Sequence, residues 1–311
     1  MRKEEFTFAS RDNVSKIHAV RWLPDQDNIQ GVIQIVHGMA EYVERYEDFA
    51  KFFTDRGYLV TGEDHLGHGK SVPEGGVKGY LCEQDPATVV VRDVHRLKKM
   101  TQELYPGVPY FLAGHSMGSY ITRNYISRYG TGIQGAVIMS TGTQSSLELT
   151  FFRVCIAITG LFKGKKTPSR FLDKLVFGSY SKRITSPRTQ FDWLTKETDV
   201  VDRYIADDEC GFCFTVNGFA TLCTLISRAC KQENMKKIPG TLPVYMISGD
   251  EDPVGDYGKG VRKAYQAMKD AGIEDITLKI YPGDRHELVN ETDRMTVLED
   301  IENWLKLHLV R

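Results

Sequence analysis

Residues 110–129 read YFLAGHSMGSYITRNYISRY. The stretch opens on a short apolar run and turns through Gly114-His115-Ser116-Met117-Gly118. From Met117 to Tyr129 it continues with the spacing of a helix. A G-x-S-x-G pentapeptide alone is a weak signal, but a buried strand before it and a helix after it give it a structural context. The flanking glycines remove side chains that would collide in so tight a turn. Ser116 is left at the tip beside a helix N-terminus, a candidate nucleophile.

The same rhythm extends outward on both sides. EEFTFAS and KIHAVRWL alternate as strands do, GVIQIVHG is a continuous apolar run ending in Gly, and YLVTGED follows as a further strand. Tyr46–Arg56 places Phe49, Phe52 and Phe53 on one helical face before Gly57, and Pro86–Leu104 sets Val90, Val94, Leu97 and Leu104 inward. IQGAVIMS is another buried strand. The alternation then lapses from Thr143 to about Gly240, where only helix-like segments occur. It resumes with LPVYMISGD, a helix at Lys259–Ala271, the strand ITLKIYP and a final amphipathic helix at Thr292–Leu309. Strands alternating with helices of ten or more residues predict an α/β protein with a mostly parallel central sheet flanked by helices. The expected organisation is a core in two parts, residues 1–142 and 241–311, interrupted by a mainly helical cap at 143–240.

Composition narrows the function classes. With 40 Lys plus Arg against 41 Asp plus Glu, the net charge is −1, without the basic excess of a nucleic-acid-coating protein. Hydrophobic residues at 41% and charged residues at 26% suit a globular domain. Six cysteines in 311 residues are too sparse for a disulfide scaffold. MRKEEFTFAS has no apolar run of signal-peptide length, and no 18-residue uncharged apolar stretch occurs. The expectation is a cytoplasmic enzyme.

A serine nucleophile needs a base, and the base needs an orienting acid. Of the eight histidines, His286 lies in the loop YPGDRHELVNE beyond the last predicted strand. His18 falls in an early strand, His95 within a helix and His308 at the end of the terminal helix. His286 is therefore the candidate base. The loop MISGDEDPVG offers Asp250, Asp252 and Asp256 as the acid, and position alone leaves the choice open. An oxyanion also needs donors. The backbone N–H after the nucleophile belongs to Met117, and the turn His37-Gly38-Met39 at an early strand end points to the Met39 N–H as the second. His37 itself reads as a structural hydrogen-bonding residue.

HGMAEYVERY (37–46), DHLGHGKS (64–71), GHSMG (114–118), SGDEDPV (248–254) and HELVNE (286–291) together resemble the monoglyceride lipase and lysophospholipase-like branch of the α/β-hydrolase superfamily. That branch pairs H-G-x-x-E with a downstream R-Y, carries D-H-x-G-H-G-x-S after the next strand, and places its acid in G-x-x-D. The resemblance implies an α/β-hydrolase fold with Ser116, Asp252 and His286 as triad and the Met39 and Met117 amides as oxyanion hole. It covers residues 37–291 but leaves the insertion without a quotable motif.

Two further clusters carry other readings. Asp64, His65 and His68 suggest a metal site, but no further ligand is evident, and the resemblance makes this a turn packed beside the site. Cys210-Gly211-Phe212-Cys213 lacks the second pair a zinc site needs and reads as buried apolar cysteines, with Cys223 and Cys230 nearby. Neither metal nor cofactor is expected.

The insertion opens with LELTFFRVCIAITGLF, and Leu147–Phe162 is the candidate substrate-binding segment. Lys163–Arg188 carries eight basic residues and one acidic, whereas Thr189–Cys210 carries seven acidic and two basic. An apolar helix beside a basic stretch suits contact with an anionic membrane surface. The other reading is that the helix lines an acyl pocket or packs on the core while the charges solvate the cap. The expected reaction is hydrolysis of a carboxylic ester of a lipid-like substrate, a monoacylglycerol or lysophospholipid, through an acyl-enzyme on Ser116. Two rivals remain: an aminopeptidase or amidase using the same triad, with Glu41, Glu44 or Asp207–Glu209 holding an amine, and a non-catalytic binder on the same fold. Oligomeric state has no sequence signal.

Overall fold

The computed structural model describes residues 1–26 and 28–309. Asp27, and Val310 and Arg311 at the end of the second expected core segment, lie outside the described residues. The strands are β1 (Arg2–Ala9), β2 (Lys16–Leu23), β3 (Gly31–Val36), β4 (Tyr58–Glu63), β5 (Tyr110–His115), β6 (Gly135–Met139), β7 (Val244–Gly249) and β8 (Ile276–Tyr281). They form one eight-stranded sheet in the order β1-β2-β4-β3-β5-β6-β7-β8. β1 pairs antiparallel with β2 and β2 with β4, while every pairing from β4 to β8 is parallel.

The continuous apolar runs are explained by burial on both faces. In β3, Ile33 and Ile35 point into one core layer and Val32 and Val36 into the other. Helices α1 (Glu47–Thr54) and α10 (Arg294–Leu307) cover the first layer with Phe49, Phe53, Val297 and Trp304. Helices α2 (Pro86–Leu104), α3 (Met117–Tyr129) and α9 (Lys259–Asp270) cover the second with Val90, Ile121 and Met268. Pro86 at the first turn of α2 suits that position, because its missing N–H would have no intrahelical partner there.

Between β6 and β7 the chain leaves the sheet for α4 (Ser146–Lys163), α5 (Arg170–Phe177), α6 (Thr198–Ala206), α7 (Val216–Cys230) and α8 (Gln232–Met235). A capping box starts α4, with the Glu148 N–H donating to Ser145 Oγ and the Ser145 N–H to the Glu148 carboxylate. α4 is apolar on two sides. Leu149 and Ile156 are buried, whereas Leu147, Leu161 and Phe162 are 80%, 85% and 86% exposed. Among the described residues no helix is long and apolar enough to cross a membrane.

Candidate active site

Ser116 forms the junction between β5 and α3 with φ 52° and ψ −118°. A non-glycine residue holds such a conformation only where its surroundings impose it. A Cβ on Gly118 would lie 1.8 Å from the Val36 carbonyl oxygen, and one on Gly114 would lie 2.2 Å from Thr122 Oγ1. β3, β5 and α3 thus close on one another with no space for a side chain, which fixes the serine at the tip.

The loop after β3 forms the opposite wall. Its left-handed residue is Ala40, at φ 53°, and not a glycine. Gly38 supplies clearance instead: a Cβ there would meet Glu41 Oε1 at 2.6 Å and Ser116 Cβ at 3.2 Å. Met39 and Met117 line one cavity of about 1150 Å³ together with Ser116 and His286. His37 is buried, with Nδ1–H donating to the Gly38 carbonyl and Nε2 accepting from the His65 N–H at 3.0 Å. That pairing requires a neutral ring, and burial beside His65 and His68 pushes its pKa well below the ordinary value.

Of the three aspartates in the loop after β7, Asp252 meets His286. The His286 Nδ1–H donates to Asp252 Oδ1 at 2.9 Å, and the Val254 N–H donates to the same oxygen at 2.9 Å. Ser248 Oγ donates to Oδ2 at 3.4 Å, and the carboxylate has no exposed surface. Asp250 points elsewhere, accepting from the Gly283 N–H at 2.6 Å, and Asp256 lies exposed in the next turn with φ 47°. The main-chain carbonyl of His286 is also held: Ser140 Oγ donates to it at 2.6 Å and His115 Nε2 at 3.2 Å.

A buried charge network surrounds this centre. His115 Nδ1 lies 3.2 Å from Glu41 Oε1, so both His115 nitrogens donate, as only an imidazolium can. Burial opposes that charge, but the Glu41 hydrogen bond and charge outweigh it and raise the His115 pKa. Burial would likewise raise Glu41, yet His115 and Arg45 hold its carboxyl well below the usual range. Arg45 joins Glu41 at 2.6 Å to both oxygens of Glu287 at 2.9 Å each. Glu41 and Arg45 stood in the sequence as part of one motif, but their link to Glu287 crosses 242 positions and has no local signal. Trp193, from the insertion, was also missed; its ring lies 5.0 Å from that of His286.

Of the carboxylates considered as anchors for a substrate amine, Glu41, Glu44, Asp207 and Glu209 are already engaged. Glu41 serves Gly38, Tyr46, Arg45 and His115; Glu44 pairs with Lys3 and Lys70. Asp207 accepts from Tyr42 and from the Glu209 N–H, and Glu209 pairs with Lys78. Asp64 is spent within the fold, accepting from the Val43 and Lys70 N–H groups and lying 2.9 Å from His18 Nδ1. Among the described residues the six cysteines are free thiols, Cys210 buried and Cys213 half-buried, and burial raises the pKa of both.

The candidate substrate-binding segment reaches the cavity through Leu149, Phe151 and Phe152 of α4. Trp193, Val176 and Leu222 add further apolar walls. The chamber exceeds the roughly 300–1,000 Å³ usual for small-molecule pockets, giving room for a long acyl chain.

Comparison with known proteins identifies the family. The profile of the family described as serine aminopeptidase, S33, matches residues 27–293. The chain is 30% identical to human monoglyceride lipase over 280 residues, covering 89% of this chain and 82% of that protein. It is 29% identical over 310 residues to a monoacylglycerol lipase of Mycolicibacterium smegmatis, covering 99% and 98% of the two. A thermostable carboxyl esterase from Bacillus coagulans, solved in complex with glycerol, superposes with a TM-score of 0.91 at 30% identity over the whole of both chains.

Proposed function

The chain belongs to the serine aminopeptidase S33 family of α/β-hydrolases, on its monoglyceride lipase branch, and from that membership we propose how it turns over its substrate. It is a carboxylic ester hydrolase acting on lipid-like substrates. Ser116 attacks the acyl carbonyl while His286 takes its proton. Asp252 holds the imidazole with Nδ1 protonated, leaving Nε2 as the basic nitrogen, and stabilises the imidazolium that forms. The Met39 and Met117 N–H groups receive the oxyanion, each contributing about 2.7–4 kcal/mol to the transition state. The alcohol leaves with the proton from His286, and water activated by the same imidazole then releases the acid.

The observation that carries this reading is the 2.9 Å Asp252–His286 pair facing the cavity that holds the strained Ser116. The preferred substrate is a monoacylglycerol, its chain lying along Leu149, Phe152 and Leu222. The engaged state of Glu41, Glu44, Asp207 and Glu209 argues against an amine-bearing peptide. A panel of monoacylglycerol, lysophosphatidylcholine, p-nitrophenyl esters of increasing length and aminoacyl anilides tests it, with Ser116→Ala as control. Turnover surviving in Ser116→Ala would refute the mechanism, and preference for anilides would move the substrate to peptides.

The cap also meets a lipid surface. The exposed side of α4, with Leu147, Phe151, Leu161 and Phe162, runs straight into Lys163, Lys165, Lys166 and Arg170, and the same helix lines the cavity. Apolar side chains beside a cluster of cations, of which Lys165 pairs with Glu83 and Lys166 lies over the Tyr80 ring, suit docking on an anionic bilayer, from which a substrate enters directly.

A further inference from the structure

One tie between the insertion and the core is made by a segment that has neither helix nor strand. Asp192–Lys196 runs against the loop that carries His286 and is tied to it along its length. The Glu287 N–H donates to the Leu194 carbonyl at 2.7 Å, and Arg285 Nη1 donates to the carbonyls of Asp192 at 2.7 Å and Thr195 at 3.3 Å. Thr195 Oγ1 donates to the Asn290 carbonyl at 3.2 Å. The Lys196 N–H reaches both Glu291 oxygens at 3.3 Å, and Lys196 Nζ donates to the buried Asp284 at 2.7 Å.

This five-residue strap presents one ring to the site. The Trp193 indole is 5.0 Å from the His286 imidazole, inclined at 48°. It is fixed from behind by Phe177, stacked at 6.0 Å and 15°, and by the edge of Tyr180 at 4.9 Å. His115 is the other ring beside His286, at 4.8 Å. One hydrogen bond at Nδ1 leaves an imidazole free to tip, and an ester hydrolase loses rate when its base tips away from the serine. A rigid indole against the ring removes that freedom. Its electron-rich face also favours the imidazolium that forms when His286 accepts the proton.

We propose that Trp193 is a positioning residue for His286, held in place by the strap Asp192–Lys196, so that the insertion contributes to proton transfer as well as to substrate fit. The inference rests on His286 being the base.

The test compares Trp193→Leu, Trp193→Phe and Lys196→Met in the full-length protein. The substrates are p-nitrophenyl acetate, too short to need the acyl walls, and a long-chain monoacylglycerol. Trp193→Leu is expected to lower kcat on the acetate between about tenfold and a hundredfold, with KM unchanged within about twofold. Labelling of Ser116 by a fluorophosphonate should slow by the same factor, and Trp193→Phe should recover most of both. Lys196→Met, which loosens the strap from the surface, should lower the same two rates by a smaller factor. It decides the matter if the tryptophan variants fail to fold. A change confined to KM for the long ester, with acetate turnover and labelling intact, would reduce Trp193 to a pocket wall and overturn the inference. So would equal losses in the Leu and Phe variants. If His286→Ala keeps parental turnover, the reading of the base itself falls, a result the tryptophan series cannot produce.

Discussion

The guanidinium of Arg45 forks onto both carboxylate oxygens of Glu287, at 2.9 Å on each side, one residue after the histidine of the site. Arg45 and Glu287 are both largely buried, as is the second carboxylate on the same cation, Glu41. The loop after β3 and the loop after β8 are thereby joined by charge within the wall of the cavity that holds the proposed triad.

Arg45→Met removes one cation, strands the buried Glu287 and leaves Glu41 with His115 as its remaining ion-pair partner. Breaking a buried pair from one side costs about 3–5 kcal/mol, and urea denaturation should show a loss of that size. Glu287→Gln, which leaves Arg45 its Glu41 partner, should cost less. A loss below about 1 kcal/mol in Arg45→Met would mean that the network is hydrated and weak.

Asp252→Asn keeps the size of the side chain but cannot hold His286 in the same tautomer and charge state. By the behaviour of comparable triads kcat should drop about 10⁴-fold while KM stays within a few-fold. An Asp250→Asn variant should keep near-parental kcat, since that side chain accepts from the Gly283 N–H while His286 is met by Asp252. Similar rates in the two variants would contradict the assignment of the acid.

Gly118→Ala puts a methyl 1.8 Å from the Val36 carbonyl oxygen, which is β3 backbone and cannot move without breaking the ladder to β5. The expected result is loss of fluorophosphonate labelling, with a fall in melting temperature of several degrees or failure to fold. Parental labelling would show that β3 and α3 are further apart than described.

Asp93 gives the stability a pH dependence of unusual sign. Burial, reinforced by Glu63, lifts its carboxyl from 3.8 to about 7. Between those values the unfolded chain has released this proton and the folded one still holds it, so stability falls as pH rises. The decline approaches 1.4 kcal/mol per pH unit and sums to about 4 kcal/mol once the pH passes 7. Asp93→Asn retains an acceptor for the Arg11 N–H and a partner for Ser10 Oγ, and it removes the titration. Its stability relative to the parent should rise between pH 5 and pH 8 in paired urea curves. A constant difference would show that Asp93 is ionised throughout.

Replacing Leu161 and Phe162 by Ser removes exposed apolar surface without touching the cavity lining. Sedimentation with vesicles containing phosphatidylserine should fall about tenfold or more, while turnover of p-nitrophenyl acetate should not change. Equal sedimentation of variant and parent would dismiss the lipid surface as a partner of α4.

The sheet and its helices were largely legible in the sequence. α2 and α3 begin and end at Pro86–Leu104 and Met117–Tyr129, as periodicity and flanking residues specify. The doubly buried strands β3, β5, β6 and β7 show themselves as unbroken apolar runs. Sheet order was not legible, because β4 inserting between β2 and β3 is a choice of neighbours that no single strand encodes. α4 was ambiguous for a related reason: a helix apolar on most sides gives no period to say which side meets the core. The site divides in the same way. Ser116 and His286 stand out because turn chemistry and loop position are local, whereas Asp250 and Asp252 differ only in where a turn aims them. The strap could not have been read, since its ties run largely through the main chain, at the carbonyls of Asp192, Leu194 and Thr195 and the N–H of Lys196, groups that carry no side-chain signal.

That strap divides the insertion into two parts for anyone exchanging it with a relative. A transplant cut at the ends of the expected cap, 143 and 240, takes Asp192–Lys196 away with the helices and releases the loop bearing His286 from six of its hydrogen-bonding groups. A graft confined to α4 and α5, ending before residue 190 and keeping Phe177 and Tyr180 behind Trp193, replaces most of the acyl wall and the lipid-facing side yet leaves that loop clasped. Chimeras of the second kind inherit a new diet while keeping the old engine.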